Sequence, residues 1–167
     1  MGYTVRHTIE TDVDGFWKLF MDQDVSRAMM KDFGGGGSYD IVDERVDEHG
    51  AQLYRIEYAF NVPLPGFIKK LVGDGSYTEH GRYDPALKKY SARCVPKVNG
   101  DKMTTTFEIT AVPLGSGERC ERVIAVENTV KVFGVGGLIE TFLERVQREA
   151  HGKAAEFTNR WIRSNGA

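Results

Sequence analysis

Little in this sequence could staple, anchor or charge a structure on its own. Two cysteines, Cys94 and Cys120, are too few for a disulfide framework. In the strand order argued below they fall on strands separated by a third, roughly 10 Å apart and beyond bridging distance. No uncharged stretch approaches the ~20 residues of a membrane span, and no apolar segment precedes the first strand pattern. After Met1-Gly2, Arg6 occupies the position where a myristoylation signal requires Ser or Thr. The chain therefore reads as soluble and cytoplasmic. Lys and Arg total 22 against 24 Asp and Glu, a net charge of -2, which is not the basic footprint of a nucleic-acid binder. The four histidines, His7, His49, His80 and His151, lack ligand-like spacing, so neither a metal nor a cofactor is expected. The glycine run at 34–37 follows a helical pattern and no Gly-Lys-Ser/Thr completes it, so it is no phosphate loop. It reads as a flexible connection or a rim. With no repeat or low-complexity linker, residues 1–167 form one domain, long enough to bury a core.

What the sequence does have is a long final helix pattern. Leu138, Ile139, Phe142, Val146, Ala150, Ala154, Phe157 and Trp161 recur at helical spacing from about 137 to 163. Such a helix is roughly 40 Å long, enough to cross a sheet. Before it, Tyr3, Val5, His7 and Ile9 alternate along a first strand. Thr11 or Asp12 caps a helix over 13–21 with an apolar stripe of Val13, Phe16, Trp17 and Phe20, and a second short helix is expected over 24–31. Strand patterns follow at 39–46, 51–62, 76–83, 88–95, 103–112 and 119–132, joined by turns such as Asn99-Gly100. The expectation is an α+β fold: a curved seven-stranded antiparallel sheet around one long C-terminal helix, with two short helices after the first strand.

Alternation marks one face of each strand as apolar. Tyr54, Ile56, Tyr58 and Phe60 share a face, as do Phe107 with Ile109, and Ile124 with Val126. One dry face per strand is what an antiparallel sheet with one solvated side shows. A sheet bent around a single helix leaves a gap to be filled by side chains or a ligand. The expected cavity lining is Tyr54, Ile56, Tyr58, Phe60, Tyr90, Phe107, Ile109, Ile124 and Val126, with Phe142, Val146 and Phe157 as its helical floor. Asn128, alone among apolar neighbours, is expected to orient the ligand, because a buried amide must find partners. Glu57 becomes the candidate acid only if the faces of its hairpin are reversed. His7 shares the inward face of the first strand.

The insertion at 63–73 is the sharpest local signal. Pro63 and Pro65 end a strand, and Phe67, Ile68, Leu71 and Val72 make an apolar face on a helix too short to form its own core. It is either a lid over the cavity mouth or a connector packed on the sheet rim. As a lid, its apolar residues face inward while Lys69 and Lys70 face solvent or a membrane head group.

This order of elements resembles the helix-grip fold of the START-like superfamily, which includes lipid-transfer domains, plant pollen-allergen-type proteins and polyketide cyclases. The segment Leu64-Pro65-Gly66-Phe67-Ile68-Lys69-Lys70-Leu71-Val72-Gly73, with Tyr83-Asp84-Pro85 beyond it, is similar to the PRELI-like phospholipid carriers. So is the stretch from Val126 to Trp161. Small bacterial START-like proteins share the same lid and helix. The resemblance implies a lipid or other hydrophobic small molecule as partner, transient membrane contact, and Lys69 at the lipid entrance. The leading reading is a non-catalytic binder or carrier with no catalytic residue assigned. A cyclase or aromatase-like enzyme and a co-chaperone-like partner-binding module stand as alternatives.

Overall fold

The computed structural model describes residues 1–33, 37–59 and 63–166. Seven strands form one antiparallel sheet: β1 (Gly2–Ile9), β2 (Ser38–Val46), β3 (Gln52–Ala59), β4 (Tyr77–Asp84), β5 (Lys89–Pro96), β6 (Met103–Leu114) and β7 (Arg119–Val130). Their order is β1-β7-β6-β5-β4-β3-β2, so only the β1–β7 pairing joins strands distant in sequence. Four helices accompany them: α1 (Val13–Phe20), α2 (Gln23–Phe33), α3 (Gly66–Val72) and α4 (Gly136–Asn165).

Local chemistry explains the boundaries. Asp12 caps α1 by accepting a hydrogen bond from the Gly15 amide at 2.7 Å, and Asp22 accepts from the amides of Asp24 and Val25 at the start of α2. The turn after β2 closes on Asp47, which accepts from the His49 and Ala51 amides. Asp84 does the same for Ala86 and Leu87 after β4. Asn99 adopts φ 57° in the β5–β6 turn, and its amide donates to the Leu71 carbonyl, tying α3 to that turn. Cys94 and Cys120 are free thiols on β5 and β7.

The helix α4 runs unbroken for 30 residues, about 45 Å at 1.5 Å per residue. It packs against β1 and β7 and touches α2. The sheet is further covered by α1, which packs on β6 and β7 and whose Trp17 and Phe20 meet Tyr83 and Tyr90, and by α2 against β2. The main core gathers Ile9, Phe16, Trp17, Tyr90, Ile124 and their neighbours. A second cluster, under α3, joins Ile68 and Val72 to Met103 and Ile139.

Of the apolar stripe expected on α4, Ile139 and Phe157 are buried and Ala150 and Ala154 line an internal cavity, while two other members turn away. Leu138 is 62% exposed and Val146 39% exposed, so neither faces the sheet. The inward positions also hold Gln147, His151, Ala155, Thr158 and Ile162. Polar residues occupy three of these five, which is why a hydrophobic count alone passed over them.

Candidate functional site

A cavity of about 260 Å³ lies between the sheet, α1, α2 and the middle of α4. From the sheet, Tyr39, Ile41, Tyr54, Ile56, Tyr58, Tyr77, Glu79, Tyr90, Phe107, Ile109, Arg122 and Ile124 reach it. The two short helices supply Phe16, Phe20, Val25, Met29 and Met30 among others, and α4 supplies Ala150, His151, Ala154 and Thr158. Small residues on α4 opposite large ones on the strands are what keep the space open. Five tyrosines present apolar rings to the lumen while keeping a hydroxyl for a polar partner. Tyr58 and Tyr77 stack with ring centroids 4.9 Å apart, and Tyr39 meets Tyr58 edge-on at 5.3 Å.

Among the polar groups of the lining, two are buried charged side chains. The first is Glu79, on the inward face of β4 and only 6% exposed. Its Oε1 accepts a hydrogen bond from the Tyr90 hydroxyl, and its Oε2 accepts from the Cys94 thiol at 3.8 Å. Burial pushes the Glu79 carboxyl up to about 7, against the opposing pull of those two hydrogen bonds. Burial and the nearby Glu79 raise the Tyr90 hydroxyl and the Cys94 thiol well above their ordinary ranges. Gly81, two residues along β4, makes this arrangement possible. A Cβ there would overlap the Tyr90 hydroxyl, so glycine opens the slot through which Tyr90 reaches Glu79.

The second is Arg122, 4% exposed on β7. Its Nη2 donates to the His151 carbonyl oxygen at 2.7 Å and stands 3.1 Å from His7 Nδ1. This contact makes Nδ1 the acceptor and leaves the His7 proton on Nε2. Burial, followed by the Arg122 charge, lowers both imidazoles, His151 to about 3. Burial also draws Arg122 itself down to about 10, still charged at neutral pH.

Of the residues expected to line the cavity, Tyr54, Ile56, Tyr58, Tyr90, Phe107, Ile109 and Ile124 come together around it. Phe60 lies outside the described residues. Val126 is buried in the adjoining core rather than on the cavity wall. Asn128 is 1% exposed but is satisfied by protein: its Oδ1 accepts from Thr105 at 2.6 Å, and its Nδ2 donates to Gln147 Oε1 at 2.8 Å. That network knits α4 to β6 and β7, and Asn128 does not border the cavity. Phe142 meets Phe67 with centroids 6.3 Å apart in the second cluster. Val146 faces outward, and Phe157 packs against Trp161 at 5.9 Å. None of these three borders the cavity, whose wall on α4 is Ala150, His151, Ala154 and Thr158.

The segment expected as a lid forms α3, but Phe67, Ile68 and Leu71 do not border this cavity. Ile68 is buried against the second cluster, while Phe67 is 46% exposed rather than turned inward, and Lys69 and Lys70 are exposed. The elements covering the cavity are α1 and α2. Glu57 faces outward and pairs with Lys97 at 3.2 Å. Sequence reading missed Glu79, Arg122 and His151. For Glu79 the signal was present, since it alternates with Tyr77 and Tyr83 on an otherwise apolar face of β4.

The fold is shared with solved structures of very different sequence. TTHA0849 from Thermus thermophilus superposes with a TM-score of 0.68 at 12% identity, over all of both chains. A START superfamily protein from Mycobacterium smegmatis gives 0.63 at 13% identity, covering 96% of this chain and 98% of the other. Norcoclaurine synthase from Thalictrum flavum, in complex with dopamine and hydroxybenzaldehyde, gives 0.62 at 14% identity, covering 99% and 88%. These likenesses show the helix-grip fold. No curated protein sequence matches the chain. The profile of one family spans nearly its whole length, residues 4–162, and the chain belongs to that family, DUF2505, described as a protein of unknown function.

Proposed function

We propose that this chain binds a hydrophobic small molecule in the cavity between its sheet, α1, α2 and α4. The observation that carries this reading is a lumen of about 260 Å³ walled by tyrosine, methionine and isoleucine. Interiors otherwise pack to the density of organic crystals with few voids larger than a water. The volume sits just below the range of about 300–1,000 Å³ usual for small-molecule sites. It suits a single-chain or one- to two-ring compound rather than an enclosed two-chain phospholipid. If the cargo is a lipid, it is a single-chain one. Membrane exchange would then use the exposed Phe67, Lys69 and Lys70 of α3, each lysine worth about 1 kcal/mol at an anionic surface. Replacing both lysines by Glu should slow exchange with anionic vesicles and leave folding intact. Unchanged exchange would remove α3 from the account.

Native mass spectrometry of the purified protein tests the main reading. A small apolar adduct of fixed mass, released on denaturation, is the expected result. A ligand-free protein that also takes up no added hydrophobic probe would refute it.

One observation favours a second reading, catalysis in the same lumen. Glu79, hydrogen-bonded to Tyr90 and raised to about 7, has the proton affinity suited to a general acid or base near neutral pH. Turnover of a bound compound that is lost in Glu79→Gln while binding persists would decide for this reading.

A further inference from the structure

A buried guanidinium is costly unless an opposite charge meets it or its donors are satisfied. Arg122 lies directly across from His7 in the β1–β7 pairing and lines the cavity. Only its Nη2 finds acceptors, and its Nε is buried with no partner among the described residues. The carboxylates near it in sequence or space are engaged elsewhere: Glu121 pairs with Arg6 and Glu10 with Arg163. Glu79 shares the cavity but sits three strands away along β7-β6-β5-β4, roughly 14 Å across the strands at about 4.8 Å each, and the register through Cys94 and Thr105 sets it level with Asn128 rather than with Arg122. The lumen thus holds one cation without a counter-charge among the described residues.

We propose that Arg122 anchors the carboxylate of the ligand, which is therefore an amphiphilic monocarboxylic acid whose apolar body lies against the tyrosines and methionines of the cavity. This rests on the reading of the cavity as a site for a hydrophobic small molecule. A carboxylate matches the planar donor edge of a guanidinium better than a point charge does, and it would give Nε an acceptor. The charge count selects a monoanion. His7 and His151 are both held neutral by burial and by Arg122 itself, so a single positive charge awaits the head group. A dianionic phosphate would bury a second charge uncompensated, a neutral head group would leave Arg122 as it stands, and a cation would be repelled.

Isothermal titration of the wild-type protein at neutral pH with decanoate, decan-1-ol and decyl phosphate reads the preference at constant chain length. Decanoate should bind at least about 10-fold more tightly than the alcohol, as expected for a charge-assisted pair, and more tightly than the phosphate. In Arg122→Gln the gap between decanoate and decanol should close to within about twofold, with decanol affinity kept, and Arg122→Lys should retain part of it. Equal binding of acid and alcohol by the wild type, tighter binding of the phosphate, or a preference that survives in Arg122→Gln would overturn the assignment while leaving the cavity reading intact. Failure of all three to bind would overturn both. Should Arg122→Gln fail to fold, the Nε–H resonance of Arg122 in the wild type decides. It should move on addition of decanoate and not of decanol, and an unmoved resonance with decanoate bound refutes the anchor.

Discussion

Glu79 offers the sharpest quantitative test of the site. Its carboxyl titrates near 4.5 when solvated and is raised to about 7 by burial in the folded protein. A group whose folded value is raised stabilises the fold in its protonated form. That contribution is fully present below pH 4.5 and is lost as pH rises through about 7. At about 1.36 kcal/mol per pKa unit, the gap between these values amounts to about 3 kcal/mol, a substantial part of the 5–15 kcal/mol that holds a typical domain together. The wild-type curve alone will understate it. His151, lowered from 6.5 to about 3, stays neutral in the fold, so its stabilisation is present above pH 6.5 and lost as pH falls toward 3. His7 is shifted in the same direction. The two trends oppose each other between the ordinary carboxyl and imidazole values. The difference between wild type and Glu79→Gln cancels the histidines and isolates the carboxyl. Urea unfolding of both proteins from about pH 4 to about pH 9 should show wild type losing about 3 kcal/mol relative to the variant as pH rises, then a plateau. A difference independent of pH would mean that Glu79 titrates as a solvated carboxyl, and the account of an enclosed, dry site around it would be wrong.

Further changes probe the same geometry. Gly81→Ala should cost about 1–3 kcal/mol and enlarge the Glu79 effect, because a Cβ displaces the Tyr90 hydroxyl whose hydrogen bond holds the carboxyl down; thermal unfolding at low and high pH reads both. Ile139→Ala, at a site with no exposure, should cost about 2–5 kcal/mol. Phe107→Ala, whose ring borders the lumen, should cost less than the about 3–5 kcal/mol of a fully packed ring and should change ligand affinity. Asn128→Ala should cost about 1–3 kcal/mol by stranding Thr105 and Gln147, with no change in ligand affinity measured by titration.

Most of the architecture was legible because period-2 and period-3.6 patterns record which faces are dry. The alternation of Tyr54, Ile56 and Tyr58 placed them on the face that meets the lumen, and the Asn99-Gly100 turn separated β5 from β6. Glu79 was marked by its alternation with Tyr77 and Tyr83 on β4, whereas Arg122 and His151 were not legible, since periodicity scores them as solvated residues. What buries them is pairing across the sheet and against α4, between residues as distant in sequence as His7 and Arg122. The same limitation hid part of the inward face of α4. Gln147 and Thr158 are inward because Asn128 and the Ala154 carbonyl meet their polar atoms, and no apolar count detects a satisfied polar contact. The role of α3 failed on geometry of another kind. Its apolar face had a cluster to join in Met103 and Ile139, so it docked at the sheet's other region and left the cavity to α1 and α2.

The central claim is that the lumen under α1 and α2 is the binding site, and methyl NMR of the protein titrated with decanoate and with decanol addresses it directly. The isoleucines sort cleanly by position: Ile41, Ile56, Ile109 and Ile124 line the lumen, whereas Ile68 and Ile139 belong to the second cluster. The account predicts ligand-dependent shifts and intermolecular contacts at the first four, with Ile68 and Ile139 unmoved. Shifts centred on Ile68 and Ile139, or none at Ile56 and Ile124 with ligand bound, would place the site elsewhere and contradict it.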